Sequence, residues 1–296
     1  MTHHPDMIAW NNPDGSYRAE FGSLAAFVSY LDATQPTASR VDTSRETSSA
    51  SRNRDWFMSD SFEHASKLVR EGWPEGRALM GKAASAVAPL IQARGRIKAQ
   101  GYDVAGAYPI VPMAVAGEPA CMVTVGEQER VTRPYVKFSV SCCVSGGISG
   151  ETIRARGAAL LAWIDALEDA GARCEVAMQF KFGGDAGKNR ADCVVMVKQA
   201  EEPVNLDVLA YAMSHPSFFR RHGFGWFERV PGNPADRVGS SYGLVDDVKI
   251  DEPNVVLFGS QMFGDVQWEN PDAAVKYIHE KIAKACGDLN GMLGAA

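Results

Sequence analysis

Several signatures are missing from this chain, and each absence removes a class of function. There is no GxxxxGK[ST] phosphate loop and no HExxH pair, so P-loop and zincin chemistry have no foothold. Cysteine is sparse: six residues, Cys121, Cys142, Cys143, Cys174, Cys193 and Cys286, with no CxxC pair. Most sit in apolar runs such as VSCCVS and DCVVMV, where a free thiol behaves as a small core hydrophobe. Adjacent Cys142 and Cys143 would point to opposite faces of a strand, so a structural zinc site is not expected. Basic charge is short as well, 30 Lys and Arg against 36 Asp and Glu. That balance argues against nonspecific coating of nucleic acid while leaving room for a local basic patch. No run approaches the ~20 apolar residues of a membrane span, and MTHHPDMIAW carries neither an apolar signal core nor a basic leader. Reduced thiols and these absences give the expectation of a cytoplasmic protein.

What is present is the composition of a globular protein, 46% hydrophobic and 22% charged over 296 residues. Residues 1–32 are expected to be a helical segment, with Phe21, Leu24, Phe27, Val28 and Leu31 on one face. Residues 33–54, rich in Ser, Thr and Arg, read as a flexible linker, because such a stretch buries too little apolar surface to offset its ordering entropy. Its alternative reading is an arm that orders on a partner, with Arg40, Arg45, Arg52 and Arg54 touching phosphates. Residues 55–130 read as a helical and extended wrapping region. Two helices break at Gly72-Trp73-Pro74, and the prolines of GYDVAGAYPIVPMAVAGEPACMV forbid a central strand, leaving one short edge strand near 120–125.

From residue 131 to 296 the pattern is α/β: strands at 134–143, 173–181, 191–199 and 254–259, helices at 150–171, 204–214 and 271–286. In the helix at 150–171, Ile153, Gly157, Leu160, Leu161, Ile164 and Leu167 share one face, which suits a helix laid on a sheet. The strands at 173–181 and 191–199 are joined by a polar turn, so they should be antiparallel neighbours. A Gly- and Ser-rich turn, Ser141-Cys-Cys143-Val-Ser145-Gly146-Gly147, joins the first strand to its helix, and such a turn exposes backbone N–H groups at the helix's positive end.

This order of strand, loop, helix, antiparallel pair and helix resembles the von Willebrand factor A domain. That resemblance implies a three-layer, Rossmann-like fold with a mostly parallel sheet and one antiparallel hairpin, preceded by the helical N-terminal region. It also implies a DxSxS-type metal loop, here Ser141, Cys143 and Ser145, completed by a second loop at Asn205 and Asp207 and a third near Asp265. With Ser for the essential Asp and Cys for one Ser, the hard oxygen ligands that Mg²⁺ or Mn²⁺ needs are depleted, so a metal-free, degenerate edge is expected. The chain is also similar to an uncharacterised family carried by bacteriophages and prophages, through GWPEG at 72–76, the run from Gly101 to Met122 and RGAALLAWIDALEDAG. This implies a mobile-element setting in a bacterial host's cytoplasm, with virion association left open, and no activity.

The segment from His215 to Arg229 is dense in aromatic, basic and imidazole groups. One reading makes it a nucleic-acid or phosphate surface formed by Arg220, Arg221, His222, Trp226 and Arg229. The other puts Phe218, Phe219, Phe224, Trp226 and Phe227 in the core, with the arginines paired to nearby acids. His215 and His222 lack a third ligand nearby, Asp246-Asp247 reads as a solvated pair, and no His accompanies Ser141, Cys143 and Ser145 in their motif. The resulting expectation is a noncatalytic binding or assembly protein with a protein partner, no cofactor and no membrane. The alternative is a nucleic-acid-binding replication or packaging factor.

Overall fold

The computed structural model describes residues 7–36, 44, 56–91, 101–124, 133–183, 190–232, 242, 244–246, 255–262 and 264–287. The chain opens not with a helix but with a hairpin, β1 (Met7–Asn11) and β2 (Tyr17–Phe21), antiparallel in a continuous register. Asn12-Pro13-Asp14-Gly15 closes it: the Asp14 carboxylate accepts from the Ser16 amide at 2.9 Å and hydroxyl at 2.7 Å, and Gly15 takes a φ of 82°, the backbone that glycine tolerates best. Helix α1 (Leu24–Ala33) follows, its Ser23 cap accepting from the Ala26 amide.

β2 joins, in parallel, the sheet built by the C-terminal part of the chain. That sheet contains β6 (Tyr135–Ser141), β7 (Arg173–Gly183), β8 (Ala191–Lys198) and β10 (Val255–Phe258), in the order β1-β2-β8-β7-β6-β10. The two-residue β9 (Leu244–Val245) adds to the end of β7. Pairs β10/β6, β6/β7 and β2/β8 are parallel, and β1/β2, β7/β8 and β7/β9 are antiparallel. The sheet is therefore mixed rather than mostly parallel, with the β7/β8 hairpin where the polar turn predicted it.

One sheet face carries Val136, Phe138, Val140, Val176, Met178, Phe180, Cys193, Val195, Val256 and Phe258, all buried. The helices reach the sheet on that face. Phe27 of α1 stacks on Phe180; Tyr277 of α9 (Pro271–Cys286) meets Phe258; and Ile153 of α6 (Gly150–Asp169) and Met213 of α7 (Leu206–Ser214) line one small cavity with Val140 and Met178. The other face alternates into Lys137, Ser139, Glu175, Gln179 and Lys181. On it Gln179 donates to Ser139 at 2.5 Å and Lys137 pairs with Glu175 at 3.0 Å. The expected helix layers on both sides of the sheet are thus not formed among the described residues. The second helical layer instead lies outside the first: α2 (Phe62–Glu71), α3 (Pro74–Ala78) and α4 (Gly81–Val87) pack on α6, α7 and α9. For that reason α6 is buried without a break from Arg156 to Ile164, the signature of a helix enclosed on all sides rather than laid on a surface.

A separate small sheet, in the order β3-β5-β4, comprises β3 (Gly101–Asp103), β4 (Tyr108–Pro109) and β5 (Met122–Thr124), with α5 (Val111–Val115) between β4 and β5. The central strand, β5, carries no proline, and Pro109 sits on an edge, where its missing N–H costs no ladder bond.

Candidate functional site

In chain order β6 is followed by β7 on one side, and β10 later joins β6 on the other. The loops after β6 and β10 therefore flank the point where the strand order reverses, the usual ligand crevice of an α/β sheet. Ser141 ends β6 there. Its Oγ lies 3.0 Å from Ser260 Oγ, and Ser260 donates to the Asp246 carbonyl at 2.9 Å. With that proton committed, Ser141 must donate to Ser260, while the Cys143 amide donates to Ser141 Oγ at 3.3 Å. Cys143 is fully buried, its sulfur accepts from the Lys181 amide at 3.1 Å, and burial pushes its thiol up to about 12, so it is no thiolate nucleophile. Ser145 is tied to the Gln261 carbonyl through its amide at 3.0 Å and to the Met262 sulfur at 3.3 Å.

A residue that the sequence reading passed over stitches this crevice shut. Arg156 of α6 donates from Nη1 to the Ser141 carbonyl at 3.1 Å and from Nη2 to the Gly259 carbonyl at 2.8 Å, and its guanidinium lies 5.4 Å from the Trp268 ring. The signal was a lone arginine inside the apolar stripe Ile153-Gly157-Leu160. The cavity remaining between Ser141, Arg156, His215 and Gln261 holds about 20 Å³, room for roughly one water. Asn205 and Asp207 do not join it. They lie at the N-terminus of α7, where Asn205 accepts from the Val208 amide at 3.2 Å and Asp207 faces Arg77 at 3.3 Å. The opposite end of that nine-residue helix, roughly 12 Å away, approaches Ser141. The metal-loop set is therefore not assembled, and no group of three or more His, Cys, Asp or Glu that could hold a metal occurs among the described residues.

The His215 to Arg229 segment forms a π-helical turn, Phe218–Gly223, leading into α8 (Phe224–Phe227). Its aromatics enter the core, as one reading expected; Trp226 stacks on Tyr17 and Phe182. The arginines are buried too, yet their bonds run to main-chain carbonyls rather than chiefly to acids. Arg220 donates to the Trp56 and Ile148 carbonyls at 2.6 and 2.8 Å with its guanidinium 4.4 Å from the Trp56 ring, and burial lowers it to about 10. Arg221 donates to the Ser44 and Ser59 carbonyls, both at 3.0 Å, and lies 4.1 Å from the Phe57 ring. Arg229 donates to the Leu31, Thr34 and Gly225 carbonyls. A phosphate reaching these groups would have to displace bonds to Leu31, Thr34, Ser44, Trp56 and Ser59. Arg40, Arg45, Arg52 and Arg54 lie outside the described residues.

His222 and His215 sit in a buried hydrogen-bond chain whose direction one main-chain amide fixes. The Ser217 amide donates to His215 Nδ1 at 3.2 Å, so that nitrogen carries no proton and the Ser217 hydroxyl, 2.7 Å away, donates to it as well. Tyr211 must then donate to Ser217 at 3.0 Å, His222 Nδ1–H to Tyr211 at 3.1 Å, and Ser66 to His222 Nε2 at 3.2 Å. Burial lowers both imidazoles to about 3. This is a neutral structural chain joining α2, α7 and the π-helical turn.

Two features face outward. A groove of about 480 Å³ is lined by Leu24, Val28, Val69, Met196 and Val208, a volume suited to a small ligand. Its rim groups bond to one another, Arg70 with Asp32 and the Gln199 amide with Glu202, so it offers apolar contact. The small sheet is the more exposed. Val104, Val111 and Val115 are 69%, 65% and 83% exposed, and Tyr102 and Tyr108 are half-exposed. The tyrosines flank buried Val123 in one row across the three strands. Residues 101–124 contain Asp103 and Glu118 and no basic side chain.

No curated protein and no solved structure matches the chain significantly. One family does match, over residues 8–285, which takes in both the N-terminal hairpin and α9; the chain belongs to the family described as Domain of unknown function (DUF7192).

Proposed function

We propose that this protein acts by binding another protein, as a noncatalytic assembly component, and that residues 101–124 are the contact surface. The observation that carries this reading is a contrast in exposure. The polar candidates at Ser141, Cys143, Ser145 and Arg220 to Arg229 are bonded internally, whereas Tyr102, Val104, Tyr108, Val111 and Val115 present apolar side chains to water within one short segment. Monomeric proteins rarely leave such groups clustered unless they meet a partner. With two acids and no bases, the segment favours an apolar partner surface that is neutral or basic. The von Willebrand A likeness rests on the order of elements and would put binding at the Ser141 loop; because that loop is closed, the small sheet is the better location. A mobile-element role in a bacterial cytoplasm is compatible with this reading and rests on the sequence resemblance.

The test is affinity purification from the natural host with nuclease present, comparing wild type with Val111→Asp/Val115→Asp. A specific protein partner that survives nuclease and is lost from the variant is expected. Partners that vanish on nuclease treatment and are indifferent to the variant would favour the nucleic-acid factor instead.

A further inference from the structure

β1 is the outer strand of the main sheet, and every residue after Met7 in it is exposed, Ile8 at 68%. The opposite edge differs, since β10 is half-buried or buried throughout. Exposed edges are normally blunted by proline, charge or a bulge. The sequence of β1, Met-Ile-Ala-Trp-Asn, has no proline and no charge, and its register against β2 is unbroken.

The direction of its backbone groups follows from two bonds. The Asn12 amide donates to the Ser16 carbonyl at 2.8 Å, and the Tyr17 amide donates the other way, to Arg190 of the chain entering β8, at 2.8 Å. Antiparallel pairs alternate between bonded and non-bonded. Trp10/Arg18 and Ile8/Glu20 are therefore the bonded pairs of the hairpin, and the N–H and C=O groups of Met7, Ala9 and Asn11 point away from the sheet.

We infer that β1 pairs with β1 of a second copy of this chain, antiparallel and centred on Ala9, joining two sheets across a two-fold axis. Only a register centred on Ala9 lets all three outward residues bond in full. Ala9 faces Ala9 of the second copy and Met7 faces Asn11 in both directions, three pairs exchanging two bonds each. The same register sets Ile8 opposite Trp10 of the second copy in the closer, non-bonded positions, twice over, on one face. Aromatic and β-branched residues so placed are among the favourable cross-strand pairs. Trp10 is already held for this, with Nε1 donating to Asn12 at 2.8 Å and Arg18 5.8 Å from its ring, so little side-chain freedom is lost on pairing. The self-complementarity selects a second copy over an unrelated strand, as an isologous interface requires. A five-residue strand covers less than the ~800 Å² per partner of a standard interface, so the dimer is expected to be concentration-dependent.

Analytical ultracentrifugation of the full chain from about 1 to 200 µM, a range bracketing micromolar affinity, should show the mass rising toward a dimer. Ala9→Pro removes an outward N–H and no bond to β2; it should leave the circular dichroism unchanged and the protein monomeric at 200 µM. Hydrogen exchange on wild type gives a test independent of any variant. Amides of Met7, Ala9 and Asn11 should gain protection with concentration, while those of Ile8 and Trp10 are protected at every concentration. A wild type monomeric at 200 µM, a dimer that persists in a folded Ala9→Pro, or protection that does not alternate would each overturn the pairing. None of these outcomes bears on the partner surface at 101–124, whose test uses different residues.

Discussion

Arg221 donates to the Ser44 and Ser59 carbonyls and to the Ser59 hydroxyl, with a phenyl ring close to its guanidinium. A lysine at that position keeps the charge but cannot reproduce the planar fork. Arg221→Lys is therefore expected to lower stability by about 3 kcal/mol, the scale of losing buried bonds to a charged group, read as a lower urea midpoint at pH 7. A phosphate-binding arginine would behave differently, losing binding while the midpoint held. Five large rings within ten residues made core burial one of the two readings of this segment, and the structure places them in the core. The sequence could not show where the guanidiniums end, since their acceptors at Leu31, Thr34, Ser44, Trp56, Ser59 and Ile148 are main-chain atoms, and a carbonyl leaves no trace in side-chain pattern.

Between elements, α6 and α7 approach closely at Gly157. A β-carbon there would lie 2.2 Å from Ser214 Oγ and 2.4 Å from the Met213 carbonyl. Alanine favours an isolated helix by about 1 kcal/mol over glycine, yet Gly157→Ala should destabilise the protein by about 2 kcal/mol, because the overpacking is against backbone. A thermal melt should show a fall of about 5 °C; an unchanged or raised melting temperature would mean that the two helices slide apart freely. At this scale most of the C-terminal pattern was legible: β6, α6, β7, β8, α7, β10 and α9 all form within a few residues of where hydrophobic periodicity put them. The N-terminal hairpin was not, although Asn12-Pro13-Asp14-Gly15 is a strong turn signal. The apolar stripe from Phe21 to Leu31 drew attention to a helix that starts only at Leu24, and Phe21 belongs to β2.

For the whole molecule, acid should be the effective denaturant. His215 and His222 titrate near 3 in the fold and near 6.5 in an unfolded chain. The folded protein therefore holds them neutral, and below pH 6.5 the unfolded state takes up protons that the native state refuses. The stability they contribute is complete above pH 6.5 and is lost as pH falls toward 3, at up to about 1.4 kcal/mol per pH unit for each ring. Asp165 and Asp192, raised by burial, act in the opposite sense, but only nearer the carboxylate range. Between pH 6.5 and 5 the imidazoles dominate. Urea titrations across that window should show the falling midpoint, and His222→Gln, though less stable at pH 7, should show about half the slope.

By itself the sequence determined the α/β class, the order of the C-terminal elements and the β7/β8 reversal, because each depends on periodicity or turn chemistry among neighbours along the chain. Only the tertiary structure decided that the helices stack two deep on one sheet face, that β2 docks in parallel on β8, that Arg156 closes the crevice and that β1 is the outer strand among the described residues. Those outcomes depend on which distant surfaces meet. Residues of one type read alike in sequence whether a second helix, a carbonyl or water lies across from them.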